Sequence, residues 1–234
     1  MSKELKFLIK CCTEEGKKIN KFFYNKKFNK NFNLDSFIEK NLIKRLKKFD
    51  KNIKVLGEET HRKKITKEKF WIIDPIDGTT NFKRRIAHFA ISIALSVNNQ
   101  ILIGVVYDPI KNDLFFSQKN KGSYRNYRKI YCSKNKNIIK SLFATGKKSE
   151  LKTFLNTRNS GSASLDLCYL ASGSYDGYFH NDLYLWDIAA GSLIADEAGC
   201  KIKIKNFHNT NKVKILASNS HLFTKLEKLI KFKF

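Results

Sequence analysis

The amino-acid sequence predicts an α+β fold, and three observations carry that expectation. Apolar residues recur at helical spacing near the start, and strand-like runs separated by turn residues fill the middle. The last third then mixes helix and strand patterns, the arrangement of a layered protein and not of a bundle or a barrel.

Taken in order, Leu5, Leu8, Ile9, Cys12, Ile19 and Phe23 fall on one face of a helix spanning Glu4–Phe23. Residues 29–34 read as a polar, asparagine-rich connection. A second helix follows, with Ser36 and Glu39 matching a capping box and Ile38, Leu42 and Leu46 lining one face. A short strand, Lys54–Leu56, runs into Gly57-Glu58-Glu59-Thr60, and the charged segment 61–69 is expected to be exposed and mobile. Strands follow at Phe70–Ile73, Phe89–Val97, Ile101–Tyr107 and Leu114–Gln118, with a weaker signal over Tyr124–Tyr131, which together suggest a largely antiparallel sheet. A second half begins at Ser141–Thr145. It holds a helix over Ser164–Ser172 ending near Gly173, a strand over Tyr175–Phe179, and a helix over Ile188–Ala198 opened by Asp187 and closed by Gly199 at the C′ position. Strands at Ile202–Ile204 and Lys214–Ala217 and a final helix over 221–231 complete the pattern. With no internal repeat and no Pro- or Ser-rich linker, residues 1–140 and 141–234 are expected to be halves of one compact unit.

Composition narrows the function classes. The first residues carry charges and no apolar run, and no stretch approaches the ~20 apolar residues needed to span a bilayer. A soluble, cytoplasmic protein without a membrane partner is expected. The five cysteines, Cys11, Cys12, Cys132, Cys168 and Cys200, show no metal-ligand spacing, so they read as reduced core thiols. The net charge of +25 raises the question of nucleic acid. The charge is mostly lysine spread along the whole chain, alongside abundant Asn, Ile, Phe and Tyr, a skew that A/T-rich coding produces. No Arg-rich block and no aromatic-basic RNA motif is present, so no specific nucleic-acid site is expected.

Residues 71–82, Trp-Ile-Ile-Asp-Pro-Ile-Asp-Gly-Thr-Thr-Asn-Phe, are the most informative stretch. A buried-strand run breaks at a proline between two aspartates, then a glycine turn and two threonines follow. Carboxylate and carbonyl oxygens suit Mg²⁺, and N–H groups freed at a glycine turn suit an anion. The chain contains its own control, because both of its prolines sit in Asp-Pro-Ile. At Asp108-Pro109-Ile110 a lysine follows and strand-like runs flank it, so that copy reads as an ordinary hairpin turn.

Three regions then combine: Gly57-Glu58-Glu59, the 71–82 stretch, and Trp186-Asp187-Ile188-Ala189-Ala190-Gly191. With His88-Phe89-Ala90-Ile91-Ser92, Gly104-Val105-Val106-Tyr107-Asp108-Pro109, Gly161-Ser162-Ala163 and Glu197-Ala198-Gly199, the chain resembles the inositol monophosphatase family of Mg²⁺-dependent phosphomonoesterases over most of its length. The Thr79-Thr80-Asn81-Phe82 ending is most similar to the bacterial SuhB-type branch. The resemblance implies a layered αβαβα sandwich and hydrolysis of inositol monophosphate or a related small sugar or polyol phosphate. An alternative is a SuhB-like non-catalytic factor in transcription antitermination or ribosome assembly.

The resemblance also implies roles for individual residues. Glu58, Asp74 and the Ile76 carbonyl would hold one Mg²⁺, and Asp74, Asp77 and Asp187 a second, in a centre of two or three ions. Asp35 and Thr79 would be catalytic, orienting the attacking water, and Glu59 would support the ligands. Gly78, Thr79, Gly161, Ser162, Ala163 and His180 would face the substrate. A homodimer is implied as well. The chain departs from the family in having His180 where a hydroxyl-binding glutamate is expected, and Asp182 where a glycine is expected. It is also short between Gly146 and Gly161, which bears on the dimer interface.

Overall fold

The computed structural model describes residues 1–25, 32–59, 68–146, 155–206 and 211–230. Among them two helices come first, α1 (Lys3–Tyr24) and α2 (Leu34–Phe49). A seven-stranded sheet follows in sequential order: β1 (Lys54–Gly57), β2 (Lys69–Asp77), β3 (Ala90–Val97), β4 (Gln100–Asp108), β5 (Asp113–Gln118), β6 (Ser123–Arg125) and β7 (Arg128–Ile130). The short helix α3 (Thr79–Lys83) interrupts it after β2. All pairings in this sheet are antiparallel except β1 with β2.

A second sheet has the order β11-β12-β10-β8-β9. Its strands are β8 (Leu142–Thr145), β9 (Asn156–Arg158), β10 (Gly177–Tyr184), β11 (Cys200–Asn206) and β12 (Lys212–Asn219). Helices α4 (Ala163–Ala171) and α5 (Leu185–Glu197) intervene, and α6 (Phe223–Leu229) ends the described chain.

Strand alternation sorts the core into layers. Trp71 and Ile73 of β2 join Leu8, Ile19, Ile38 and Leu42 in a cluster under α1 and α2. Phe70 and Ile72 point the other way, into a cluster with Leu165, Leu167, Ile188 and Ile194 of α4 and α5. The second sheet repeats the device. Tyr178, Ile215 and Ala217 face α4 and α5, while Phe143, Phe179 and Leu216 meet Leu222 and Leu226 on the α6 side. The result is the αβαβα sandwich expected from the sequence. Helix α5 sits against the first sheet closely enough that a Cβ on Gly104 would lie 2.6 Å from the Ala190 carbonyl oxygen, which is why β4 carries glycine there.

Several local expectations need correction. Helix α2 is capped by Asn33, whose side chain accepts from the Ser36 N–H at 3.0 Å, and not by a Ser36–Glu39 box. Glu39 is buried and accepts from the Glu59 N–H at 2.8 Å instead, crossing from α2 to the end of β1. A short polar side chain three residues upstream won the cap because it reaches the free N–H groups of the first turn. Asp187 does not open α5 either. It is the third helical residue, and its Oδ2 accepts from the Tyr184 N–H at 2.7 Å. The weak Tyr124–Tyr131 signal resolves into the β6–β7 hairpin, turned by Asn126 and Tyr127 with positive φ. The strand expected at Tyr175–Phe179 runs on to Tyr184, and the final helix is shorter than expected. The segment 61–69 lies outside the described residues except for Glu68 and Lys69, the latter opening β2. Most of the shortened stretch after Gly146 lies outside them too.

Because Asn33 sets the start of the helix that carries Asp35, Asn33→Ala is expected to lower stability by about 1 kcal/mol. Chemical denaturation with an unchanged m-value would check this, and an unaltered midpoint would show that the cap contributes nothing.

Candidate active site

The Asp-Pro-Ile-Asp segment ends β2 with an irregularity. Asp74 pairs with Ser92 and Asp77 with Ala90, so three steps on β2 oppose two on β3. Strict alternation would send two residues three apart to opposite faces, and the extra residue reverses that for Asp77. Proline at position 75 fits because it has no N–H to lose from the ladder. Asp74 Oδ1 accepts from the Ile76 N–H at 3.0 Å, fixing the bend. Gly78 then turns the chain with φ +98°, and a Cβ there would stand 3.1 Å from the His88 carbonyl oxygen, so glycine is demanded twice over. The second Asp-Pro-Ile forms the β4–β5 turn, with Asp108 Oδ1 accepting from the Ile110 and Lys111 N–H groups.

Both aspartates reach one cleft of about 350 Å³ lined also by Glu58, Ile76, Gly78, Thr79, Gly161, Ser162, Ala163, His180 and Asp187. Three elements deliver the four acids: Glu58 leaves β1, Asp74 and Asp77 end β2, and Asp187 sits in the first turn of α5. Asp35 reaches the same wall from α2, where Thr79 Oγ1 lies 2.8 Å from Asp35 Oδ1 and 3.0 Å from the Ile76 carbonyl oxygen. A hydroxyl has one proton, so Thr79 donates to one of these acceptors at a time. Asp35 and Glu59 line the adjoining cavity across Thr79 and Glu58.

The electrostatics follow from burial and like charge. Desolvation, then the charges of Asp35, Glu59 and Asp77, push Glu58 up to about 7. Burial, then the neighbouring carboxylates Glu58, Asp77 and Asp187, holds Asp74 well above the usual range, and burial with Asp77 does the same for Asp187. Burial also raises Asp35 against the opposing hydrogen bond from Thr79. Asp77 is raised by burial even though it is heavily solvated by protein donors. Its Oδ2 accepts from Ser162 Oγ at 2.7 Å, the Ser164 N–H at 2.7 Å and Ser164 Oγ at 2.5 Å, and its Oδ1 from the Ala163 N–H at 3.3 Å. Two buried acids, Asp74 and Asp77, and two half-buried ones, Glu58 and Asp187, sharing one cleft at neutral pH call for positive charge. The donors beside the acids are carboxylate, carbonyl and hydroxyl oxygens, with the one imidazole, His180, at the far wall, which fits a hard divalent cation. Among the described residues these acids do not close into a ready-made cage of three. Glu58 and Asp74 share a hydrogen bond, and Asp77 and Asp187 already hold N–H and O–H partners.

The positions implied to bind substrate divide in two. Gly78 and Thr79 open α3 at the cleft, whereas Ser162 and Ala163 turn their donors onto Asp77 and position it. Gly161, with φ +84°, brings its loop against Asn81, whose Nδ2 donates to the Ser160 and His88 carbonyl oxygens at 2.8 and 2.7 Å. His180 lies at the far wall on β10, its Nδ1 accepting from the Asp182 N–H at 3.1 Å, so the neutral ring carries its proton on Nε2. Gly146 makes room for that ring, because a Cβ there would fall 1.8 Å from Nε2. Asp182 itself pairs with Lys212 at 3.1 Å, away from the acids.

Sequence reasoning passed over Asn81, Ser164, Asp166 and Tyr178. Asp166 lines the cleft from α4, is 2% exposed, and has an Oδ1 without a hydrogen-bond partner. Burial pushes it up to about 8. A polar residue inside an apolar helix run, Leu165-Asp166-Leu167, was the available signal.

The fold and this cleft define a layered α+β protein with an acid-lined, hard-oxygen site at the junction of its two sheets. Residues 13–231 match the sequence profile of the inositol monophosphatase family, and the chain belongs to that family. It is 39% identical to the Nus factor SuhB of Haemophilus influenzae, over 71% of this chain and 68% of that protein. Among solved structures it is similar to the inositol monophosphatase of Anabaena (28% identity, TM-score 0.86, covering 96% of this chain and 94% of that one). It is also similar to the extragenic suppressor protein SuhB of Bartonella henselae (28% identity, TM-score 0.86, 100% of both chains). No described helix is long and apolar enough to cross a membrane.

Proposed function

We propose that this protein is a Mg²⁺-dependent phosphomonoesterase that hydrolyses inositol monophosphate or a related small sugar or polyol phosphate. The observation that carries this reading is the meeting of Glu58, Asp74, Asp77 and Asp187 in one cleft beside the Thr79–Asp35 hydrogen bond. Glu58, Asp74 and the Ile76 carbonyl would hold one cation, and Asp74, Asp77 and Asp187 another. When bound, Mg²⁺ supplies charge neutralisation for the acids, a water of lowered pKa and stabilisation of the departing alkoxide.

The chain's own groups do the rest. The Gly78 and Thr79 N–H groups at the start of α3 orient phosphate oxygens. Thr79 accepts a hydrogen bond from the attacking water as it donates to Asp35, so a proton leaving the water passes to the Thr79 oxygen while the Thr79 proton passes to Asp35 Oδ1. Burial of Asp35 favours that protonated state. Ser162 and Ser164 keep Asp77 aimed during the cycle. His180 Nε2–H meets the alcohol half of the substrate.

Phosphate release from a panel of inositol, sugar and polyol monophosphates with and without Mg²⁺ tests this reading. No turnover on any of them, with Asp74→Asn and Asp77→Asn indistinguishable from the parent, would remove it. Gly146→Ala tests the alcohol end. It forces the His180 ring aside, so KM for the preferred ester is expected to rise several-fold with kcat little changed. An unchanged KM would place the alcohol elsewhere.

The SuhB names of the relatives favour a second reading, a non-catalytic factor in transcription antitermination or ribosome assembly. Affinity capture with transcription elongation factors, retained in Asp77→Asn, would support it; absence of any such complex would leave the enzyme reading alone. A homodimer in the cytoplasm belongs to the first reading, and sedimentation equilibrium showing only monomer would strike the dimer from it.

A further inference from the structure

The five cysteines carry no metal spacing, yet two of them meet in space. Cys132 lies two residues past β7, at the edge of the first sheet, and Cys200 opens β11, at the edge of the second. The Cys132 N–H donates to the Ala198 carbonyl at 3.0 Å, which draws the two segments together just past the C-terminus of α5. A Cβ on the intervening Gly199 would stand 3.6 Å from Cys132 Sγ, so the Cys132 thiol lies over this turn, and the two thiols share a hydrogen bond. Cys132 is half-buried, whereas Cys200 belongs to the core under α5. One thiol is therefore open to a small solute and the other is held against it from inside.

We propose that Cys132 and Cys200 form a redox modification site, a dithiol that peroxide converts to a disulfide joining the edges of the two sheets. In the first step the Cys132 sulfur attacks one peroxide oxygen, the O–O bond breaks, and water and a sulfenic acid form. Cys200 then attacks the Cys132 sulfur, the S–O bond breaks, the S–S bond forms and a second water leaves. Two electrons pass from the thiol pair to the peroxide. The hydrogen bond from Cys200 lowers Cys132 to about 7, while hydrogen bonding to Cys132 and then burial hold Cys200 well above its usual value. Accessibility gives the Cys132 sulfur the role of attacker, and enclosure gives Cys200 the role of resolver. Cys11, Cys12 and Cys168 are buried and raised by burial, which leaves them unreactive under the same conditions.

The test is treatment of the full chain with stoichiometric hydrogen peroxide, followed by alkylation in denaturant and peptide mass spectrometry without reduction. The expected product is a linked Cys132–Cys200 peptide pair, reversed by dithiothreitol, with the other three cysteines alkylated. The long loop closed by the bond is expected to raise the thermal midpoint of the oxidised protein by on the order of 10 °C. Cys132→Ser is expected to lose both the link and the shift, and Cys200→Ala to leave Cys132 as a sulfenic acid trapped by dimedone. A stable sulfinic or sulfonic acid at Cys132 with Cys200 still alkylatable, or a covalent dimer through Cys132, would overturn the proposal.

Discussion

Asp74→Asn is expected to lower Mg²⁺-dependent phosphate release by at least 10²–10³-fold while raising the thermal midpoint of the metal-free protein. The two effects have one cause. Asp74 is 1% exposed and is held well above its usual pKa by burial and then by Glu58, Asp77 and Asp187. Without a cation its charge is a liability, and Asn removes it while retaining an oxygen for the Ile76 N–H that Asp74 Oδ1 now accepts. With a cation, the same charge is the group that both proposed ion positions share. Phosphate release and thermal melts in a chelator would separate these arms. Activity lost together with a lower metal-free midpoint would mean that Asp74 holds the fold and not the ion.

The second large effect is on pH. Glu58 stands at about 7 in the folded protein against 4.5 for the free side chain, and Asp74 and Asp187 are displaced in the same direction. Between those values the folded state binds more protons than the unfolded one. Stability from this group is therefore complete below about pH 4.5 and is lost as pH rises through about 7. The metal-free midpoint is expected to fall by about 5 °C or more across that interval. Saturating Mg²⁺ is expected to flatten the fall, because a bound cation replaces the protons. Glu58→Gln is expected to reduce the slope even without metal. A metal-free midpoint that stays level or rises over the interval would show that these acids are not electrostatically crowded.

The residues that sequence made legible are those whose chemistry is local. The continuous apolar run Phe70–Ile73 marked β2, and helical spacing from Leu5 to Phe23 marked α1. The comparison of two Asp-Pro-Ile segments separated a cleft-forming turn from a plain one, and the structure keeps them apart. What sequence did not show is what depends on partners far along the chain. Ser162 and Ser164 turn onto Asp77 from more than 80 residues away, and nothing in their own neighbourhood announces it. Asn81 ties the 88 and 160 loops together for the same reason. Ser36 and Glu39 match a capping box in sequence, and Asn33 stands out as the cap only once the Glu59 N–H is known to engage Glu39. The Cys132–Cys200 meeting belongs to this class too, since it arises only when two sheet edges close over α5.

The most direct test of the central claim is a crystal structure of the protein soaked with Mn²⁺ as an anomalous stand-in for Mg²⁺, together with phosphate. The expected result is anomalous density in the cleft within about 2.0–2.3 Å of Glu58, Asp74, Asp77 and Asp187 oxygens, with phosphate against the start of α3. Density elsewhere only, with Asp77 and Asp187 keeping their present partners alone, would contradict the assignment of this cleft as a metal-phosphate site.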